Sequence, residues 1–244
     1  MTGFLAVFKR ELKAYFTTPV AYVFLVVFLF FAGYLPFELG GFFEKRQANL
    51  RAFFQYVPLL LAVLAPCMAM RLWAEERRGG SIELLMTLPI TVPQAVLGKF
   101  LAAWVFLGLA LTLTLPMPIT VWYLGDPDNG SIFCGYLGSF LMAGGFLAIG
   151  CFFSALSRSQ VISFVLTVVA CAVLIYAGMP STLDLLAGLL PAGGVRVIEG
   201  LSMQTHFESI SRGVLELADL MYFLLVTAGG VFACGVVLAE RRAA

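Results

Sequence analysis

Residues 71–99 read RLWAEERRGGSIELLMTLPITVPQAVLGK and carry the densest cluster of charge in an otherwise apolar chain. The charged residues of this stretch are Arg71, Glu75, Glu76, Arg77, Arg78, Glu83 and Lys99. Long hydrophobic runs stand on both sides of it. Because charged side chains are rarely buried without partners, we expect the whole stretch to lie in water. The remaining chain is organised as hydrophobic segments around this one charged connection.

A short helix is predicted inside the charged stretch. Gly79-Gly80 ends the preceding helix, since glycine readily adopts the positive φ of a helix C-cap. Ser81 then caps a new helix, and Glu83 in its first turn suits the positive end of the helix dipole. The helix has one apolar side and stops before Pro89; that side consists of Leu84, Leu85 and Leu88. Such a helix suits a membrane surface or a cleft in another protein, and the alternative is a solvated loop.

Composition indicates an integral membrane protein. Of the 244 residues, 61% are hydrophobic and only 12% are charged, which is far less charge than a soluble domain carries. The net charge of +1 gives no basic field for nucleic acid. Five cysteines lie singly in or beside apolar runs and only one histidine, His206, is present. This pattern predicts buried thiols rather than a disulfide framework or a zinc site.

Hydrophobic runs of about 20 residues predict six membrane-spanning helices and an all-α fold. The spans cover about residues 19–39, 53–72, 96–124, 132–156, 160–179 and 220–238 of a single domain formed by residues 1–244. Prolines are expected to bend the second and third spans, at Pro58, Pro66, Pro116 and Pro118. The fourth span contains small residues four positions apart, at Gly144/Ala148 and Gly150/Ser154. We therefore expect it to be the most closely packed helix, with its contacts inside one subunit.

Two amphipathic segments flank the spans. Residues 2–16 place Phe4, Phe8, Leu12 and Tyr15 on one helical stripe, away from Lys9, Arg10 and Lys13. This pattern is typical of an interfacial helix, and the apolar run after it is too long for a signal peptide. The connection 180–217 has an apolar first part, and its second part places Phe207, Ile210, Val214 and Leu217 on one face. We expect this connection to form short segments at the outer surface.

The distribution of Lys and Arg predicts the orientation. Six spans place both termini on one side, and a cytoplasmic N-terminus puts ten Lys and Arg inside and five outside. That asymmetry follows the positive-inside rule. We predict a multi-pass protein of the inner (plasma) membrane, with both termini and the charged stretch in the cytoplasm.

The sequence contains no motif typical of catalysis, metal binding or nucleotide binding. No span carries an ionisable residue near its middle, which disfavours an ion-coupled carrier. We find no metalloprotease or nucleophile motif, and Gly98-Lys99 lacks the other residues of a phosphate-binding loop. We therefore predict no catalytic, metal-binding or cofactor-binding residue. A transporter of this sequence that uses ATP needs a separate chain to hydrolyse it.

Three stretches resemble the membrane subunit of type 2 ABC transporters. They read FKRELKAYFTTPVAYVF (Phe8–Phe24), EERRGGSIELLMTLPI (Glu75–Ile90) and HFESISRGVLELADLMYF (His206–Phe223). The likeness is closest to the subgroup that includes gliding-motility permeases and the permease of nitrous-oxide-reductase maturation. In the middle stretch Gly80-Ser81 stands where the family usually has Gly-Thr, and serine keeps the capping hydroxyl.

The resemblance implies a site and partners. The coupling helix that docks into the ATPase would comprise Glu75, Glu76, Arg77, Arg78, Gly79, Ser81, Glu83, Leu84, Leu85, Leu88 and Pro89. The N-terminal helix would be the interfacial connecting helix, with Phe8, Lys9, Arg10 and Lys13. Short re-entrant helices would precede the sixth span. Partners would be a cytoplasmic ATPase, a second permease in a homodimer or heterodimer, the lipid membrane and an outer-facing accessory protein.

Two other functions remain open at this point. A secondary carrier would depend on an ion gradient and would need intramembrane charge. A non-transporting assembly subunit would mature an envelope protein or deliver mechanical work, rather than move a solute.

Overall fold

The computed structural model describes residues 2–41, 49–79, 91–188 and 191–243, and all regular structure in them is helical. The helices are α1 (Thr2–Thr17), α2 (Pro19–Glu38), α3 (Arg51–Ala69), α4 (Ala74–Arg78), α5 (Val92–Thr112), α6 (Pro116–Leu124), α7 (Asn129–Leu156), α8 (Gln160–Tyr176), α9 (Pro180–Ala187), α10 (Ala192–Leu201), α11 (Met203–Ser211) and α12 (Leu217–Ala243). The predicted all-α class is confirmed. The helix predicted over residues 81–88 lies outside the described residues.

Within the described residues, five helical segments are long and apolar enough to cross a membrane. They are Pro19–Glu38, Arg51–Arg78, Val92–Leu124, Asn129–Leu156 and Leu217–Glu240. The predicted fifth span corresponds to α8, which ends at Tyr176 and is followed by α9 at an angle of 80°. The count reaches the predicted six only when this bent pair is taken as one span.

Proline interrupts one of these segments and leaves another continuous. The third span breaks after Thr112 and restarts at Pro116, which has no N–H to donate to the preceding turn. In contrast, α3 continues as one helix through both Pro58 and Pro66.

The long helix α7 lies at the centre of the bundle. It contacts α3, α4, α5, α8, α11 and α12. Small residues permit these contacts: a Cβ on Gly150 would overlap the side chain of Ala69 in α3. A Cβ on Gly230 of α12 would lie 2.9 Å from the backbone carbon of Ala148 in α7. The fourth span, predicted to be the most closely packed helix, thus makes contacts with six helices of the same chain.

The two ends of α7 face different parts of the chain. Near its start, α11 buries Met203, Phe207 and Ile210, and Phe207 and Ile210 lie beside Gly138. Near its end, Ser154 contacts the residues that begin α4. Gly138 and Ser154 are 16 positions apart in the helix, which corresponds to about 24 Å. We call these the α11 end and the α4 end of the bundle.

The predicted apolar face of residues 207–217 is only partly correct. Phe207 and Ile210 are buried, but Val214 and Leu217 are exposed. The helix ends at Ser211, and Gly213 adopts a φ of 89°, which a helix cannot contain. The periodic pattern therefore continues in the sequence past the point where the backbone leaves the helix.

The five cysteines are free and buried, as predicted for thiols that act as small hydrophobic side chains. Cys151 of α7 and Cys234 of α12 bring their Sγ atoms to 3.3 Å. This contact lies in the tightly packed crossing of the two helices.

Candidate functional site

Four charged side chains from three helices meet at the α4 end of the bundle. Lys99, in the third turn of α5, places its Nζ 3.1 Å from Glu11 Oε1 of α1 and 2.8 Å from Glu76 Oε1 of α4. Arg10 Nη2 lies 2.7 Å from Glu11 Oε1 and 3.6 Å from Glu76 Oε1. We call Arg10, Glu11, Glu76 and Lys99 the charged junction. Its two cations and two carboxylates balance to zero charge.

The charged junction is partly withdrawn from water. Lys99 is only 2% exposed, and the side chains of Glu11 and Glu76 are 17% and 19% exposed. Burial by itself would raise the pKa of Glu11, but Lys99 and Arg10 act in the opposite direction and hold the pKa of this carboxyl below its ordinary value. The ionised forms therefore stabilise one another, and each depends on the others being present.

The first residues of α4 are fixed to the last turn of α7. The backbone N–H groups of Trp73 and Ala74 both donate to Ser154 Oγ at 3.1 Å. Arg77 donates to the carbonyl oxygen of Ala155, where a cation also meets the negative end of the α7 dipole. The indole of Trp73 is fully buried, with its ring centroid 5.3 Å from Lys99 Nζ. Packing, hydrogen bonds and a cation–π contact thus join α4 to both α5 and α7.

Capping fixes the start of α5. The N–H of Thr91 donates to Gln94 Oε1 at 3.3 Å, and a proline follows in the first turn. Residues 80–90, which lie outside the described structure, therefore connect the end of α4 to the capped start of α5, the helix that carries Lys99. The charged junction connects these two ends directly.

A family model described as ABC-2 family transporter protein matches residues 5–228. The chain belongs to this family. The match includes every residue of the charged junction as well as α11 and the first part of α12. No curated protein sequence matches the chain. This ABC-2 protein is therefore a multi-pass membrane permease of the type 2 ABC transporter class.

The predicted coupling residues that the structure describes fall into two groups. Glu76 and Arg77 contact other helices, whereas Glu75 pairs with Arg71 at 3.0 Å on the surface. Arg78 and Gly79 are exposed, and α4 ends at Arg78 as the Gly79-Gly80 pair predicts. Gly79 itself has a φ of −82°, so the expected positive φ is wrong at this residue. The remaining predicted residues lie outside the described structure: Ser81, Glu83, Leu84, Leu85, Leu88 and Pro89.

The predicted interfacial helix lies along the start of α5 in the permease. Its apolar stripe is half-buried there, and Tyr15 stacks on Phe106 with ring centroids 5.1 Å apart. Phe8 is half-buried beside Phe4. The three predicted basic residues are exposed, and one of them, Arg10, also belongs to the charged junction: Lys9, Arg10 and Lys13.

Sequence reasoning missed how the permease buries part of its charged stretch. Lys99 and Trp73 were expected in water, but both are buried, because Glu11 and Glu76 supply charge partners for the lysine. Glu11 offered a readable signal, since it lies on the same helical stripe as Phe8 and Tyr15. An acid on an apolar face indicates a buried cation opposite. Nothing local distinguishes Ser154 as the acceptor for α4.

Proposed function

We propose that this permease works with a second permease chain, identical or related, and with a separate cytoplasmic ATPase. Membership of the ABC-2 family supports the ATPase partner, as does the lack of a phosphate-binding loop in the sequence. Each complex would then contain two copies of the transmembrane domain and two nucleotide-binding subunits. The chain itself would hydrolyse no ATP.

Residues 75–89 are the proposed contact with the ATPase. The observation that carries this proposal is the charged junction, in which Lys99 bridges Glu76 of α4 and Glu11 of α1. A segment held in this way at both ends cannot move without moving α1, α5 and α7. A force that the ATPase exerts on residues 80–90 would reach three helices at once, which is what a transmission element requires.

The α4 end is proposed to face the cytoplasm of a cell whose inner (plasma) membrane holds the permease. Ten of the fifteen Lys and Arg residues lie on this side under the predicted topology, which supports the assignment. The same orientation places α9, α10 and α11 at the outer surface, as the proposed short re-entrant helices. Both chain termini are then cytoplasmic.

The proposed role of the complex rests on the subgroup of the family that the chain resembles. The three motif stretches support a relative of the gliding-motility and nitrous-oxide-reductase-maturation permeases. We therefore propose an exporter, or a complex that transmits mechanical work to an outer-facing accessory protein. An ion-coupled carrier is disfavoured, because the buried Lys99 lies in the first quarter of the Val92–Leu124 span and the buried Asp219 lies in the first turn of α12, so neither charge is at mid-span.

The test is a matched pair of charge reversals. Glu83→Arg places a cation in the proposed contact, whereas Glu44→Arg makes the same change in a loop predicted on the outer side. Each tagged permease is co-expressed with its ATPase and purified in mild detergent, and the bound ATPase is measured per permease. A charge reversal at a desolvated contact costs about 2–5 kcal/mol, so Glu83→Arg should retain less than roughly a tenth of the ATPase. Equal recovery in both variants would overturn the proposed contact.

A further inference from the structure

A histidine and an aspartate lie within hydrogen-bond distance of each other at the α11 end of the bundle. His206 Nδ1 of α11 lies 2.6 Å from Asp219 Oδ1 in the first turn of α12. The other ring nitrogen, Nε2, lies 3.1 Å from the carbonyl oxygen of Gly200 in α10. Asp219 is 5% exposed, and its second oxygen, Oδ2, is buried without a hydrogen-bond partner in the described structure. In the described structure, His206 is thus the hydrogen-bonding partner of the buried Asp219 side chain.

Counting donors shows that this arrangement holds an extra proton. A carbonyl oxygen and an ionised carboxylate only accept hydrogen bonds, and a neutral imidazole has one N–H to donate. The two contacts of His206 with Asp219 and Gly200 therefore require one proton more than a neutral histidine beside an ionised aspartate. That proton resides either on the ring, which is then doubly protonated, or on the carboxyl group.

The helix ends favour the ring as the location of the proton. The carbonyl groups of Gly200 and Leu201 end α10 without partners inside the helix, so the negative end of its dipole faces His206. Asp219 lies in the first turn of α12, where the dipole favours an anion. Tyr222 stacks on the imidazole with centroids 4.1 Å apart and donates its hydroxyl to the Leu201 carbonyl oxygen at 2.5 Å.

Other charged groups on the packed elements do not replace this pair. Glu208, on α11 itself, is engaged by Gln204 and Arg212. Asp128, at the N-cap of α7, accepts from the N–H of Gly130. The remaining candidates are Arg196 and Glu199 on α10, Glu216 directly before α12 and Arg51 on α3, while α8 contains no charged residue. None of these groups forms an ion pair or hydrogen bond with His206 or Asp219 in the described part of the chain.

We propose that His206 and Asp219 form a proton-binding site that fastens α10 and α11 to the start of α12. With the proton bound, one imidazole links the end of α10 to the first turn of α12. When the proton leaves, the ring keeps a single N–H, which turns to the carboxylate through Nδ1, and the link to Gly200 is lost. The protein then holds α10 less firmly. That this occurs on the outer side of the membrane rests on the proposed topology, whereas the proton count does not.

The chain has a single histidine, so the ring can be observed without interference. The permease is labelled with ¹⁵N-histidine, purified through a histidine-free tag and reconstituted in lipid bilayers. Ring nitrogen spectra are then recorded across and beyond the pH interval in which an ordinary histidine loses its proton. We expect a proton on Nε2 at the acid end and a ring with its only proton on Nδ1 at the alkaline end. A spectrum that stays the same throughout the series would overturn the proposal.

Asp219→Asn provides the matched variant. The asparagine amide can donate to Nδ1 while a neutral ring donates from Nε2 to Gly200, so both links form without the extra proton. This variant should keep its proton on Nε2 at the alkaline end. Amide hydrogen exchange in residues 192–211, compared at one alkaline pH, should be about tenfold slower in Asp219→Asn than in the unmodified chain. Equal exchange in the two proteins would contradict a proton-dependent link, and the wild-type spectra test the site even if the variant does not fold.

Discussion

Replacing Lys99 by methionine should destabilise the permease strongly. The substitution keeps a long apolar side chain in the buried position and removes only the positive charge. Glu11 and Glu76 then face each other with Arg10 as their one remaining cation in the charged junction. Glu11 then loses a cation that lowers the pKa of its carboxyl, and it faces Glu76 while both side chains are partly desolvated.

The size of the effect follows from the burial of each partner. Removing one member of a buried ion pair costs about 3–5 kcal/mol. The carboxylates retain 17% and 19% of their exposure, and Arg10 stays 2.7 Å from Glu11, so the lower value of about 3 kcal/mol applies. For a chain of this length about 1 kcal/mol corresponds to roughly 2–4 °C in Tm. We therefore expect a decrease of about 6–12 °C.

The assay is thermal unfolding of the purified permease at neutral pH in one detergent. Lys13→Met is the matched control, since the side chain of Lys13 in α1 is exposed. Its replacement should change the free energy of unfolding by no more than about 0.5 kcal/mol. The triple variant Lys99→Met/Glu11→Gln/Glu76→Gln removes the whole buried charge set. It should recover most of the lost stability, because replacing a complete buried ion cluster is often neutral.

Two results would refute this account of the junction. A Lys99→Met variant that unfolds within about 1 °C of the unmodified chain would show that the cation is not needed. A triple variant as unstable as the single one would show that Lys99 contributes packing rather than charge.

Three further predictions concern topology, pH and packing. A reporter fused after Ala244 should behave as cytoplasmic and one inserted at Asp128 as external; both on one side would contradict the span count. Because the folded-state pKa of Glu11 is lowered, its contribution to stability is present above the ordinary glutamate pKa and is lost as the pH falls through the lowered value. Glu11→Gln should therefore weaken the acid dependence of thermal unfolding. Unchanged acid dependence would argue against the pairing of Glu11 with Lys99 and Arg10. Gly230→Val places a Cβ 2.9 Å from the backbone of α7 and should lower the free energy of unfolding by about 1–3 kcal/mol. At Gly229 a Cβ meets nothing within 4 Å, so Gly229→Val should unfold at a temperature close to that of the unmodified chain.

The membrane helices were predictable because apolar length is a local property of a sequence. The interruption before Pro116 has an equally local cause, the missing N–H of proline. The error at Val214 and Leu217 came from following the helical period through Gly213, although a glycine is itself a signal for a chain reversal. Element types could therefore be predicted more securely than the points at which helices end.

The candidate site was less predictable because its contacts join distant parts of the chain. Glu11 and Lys99 are separated by 88 positions, and no local pattern pairs them. Their meeting depends on how α1 lies along α5, which is decided by packing across the bundle. The residue types of the charged stretch indicated a functional connection, whereas the burial of Lys99 and the role of Ser154 needed three-dimensional contacts.

The dependence of α4 on Ser154 has a consequence for biosynthesis. The acceptor for the Trp73 and Ala74 amides is encoded 81 and 80 positions later in the chain. At about 5–20 residues per second, a ribosome needs roughly 4–16 s to translate that distance. Under the proposed topology, the nascent loop is in the cytosol during this interval and lacks the helix that accepts its first hydrogen bonds. Under the proposed coupling role, the ATPase subunit meets a finished docking surface only after the fourth span has entered the membrane.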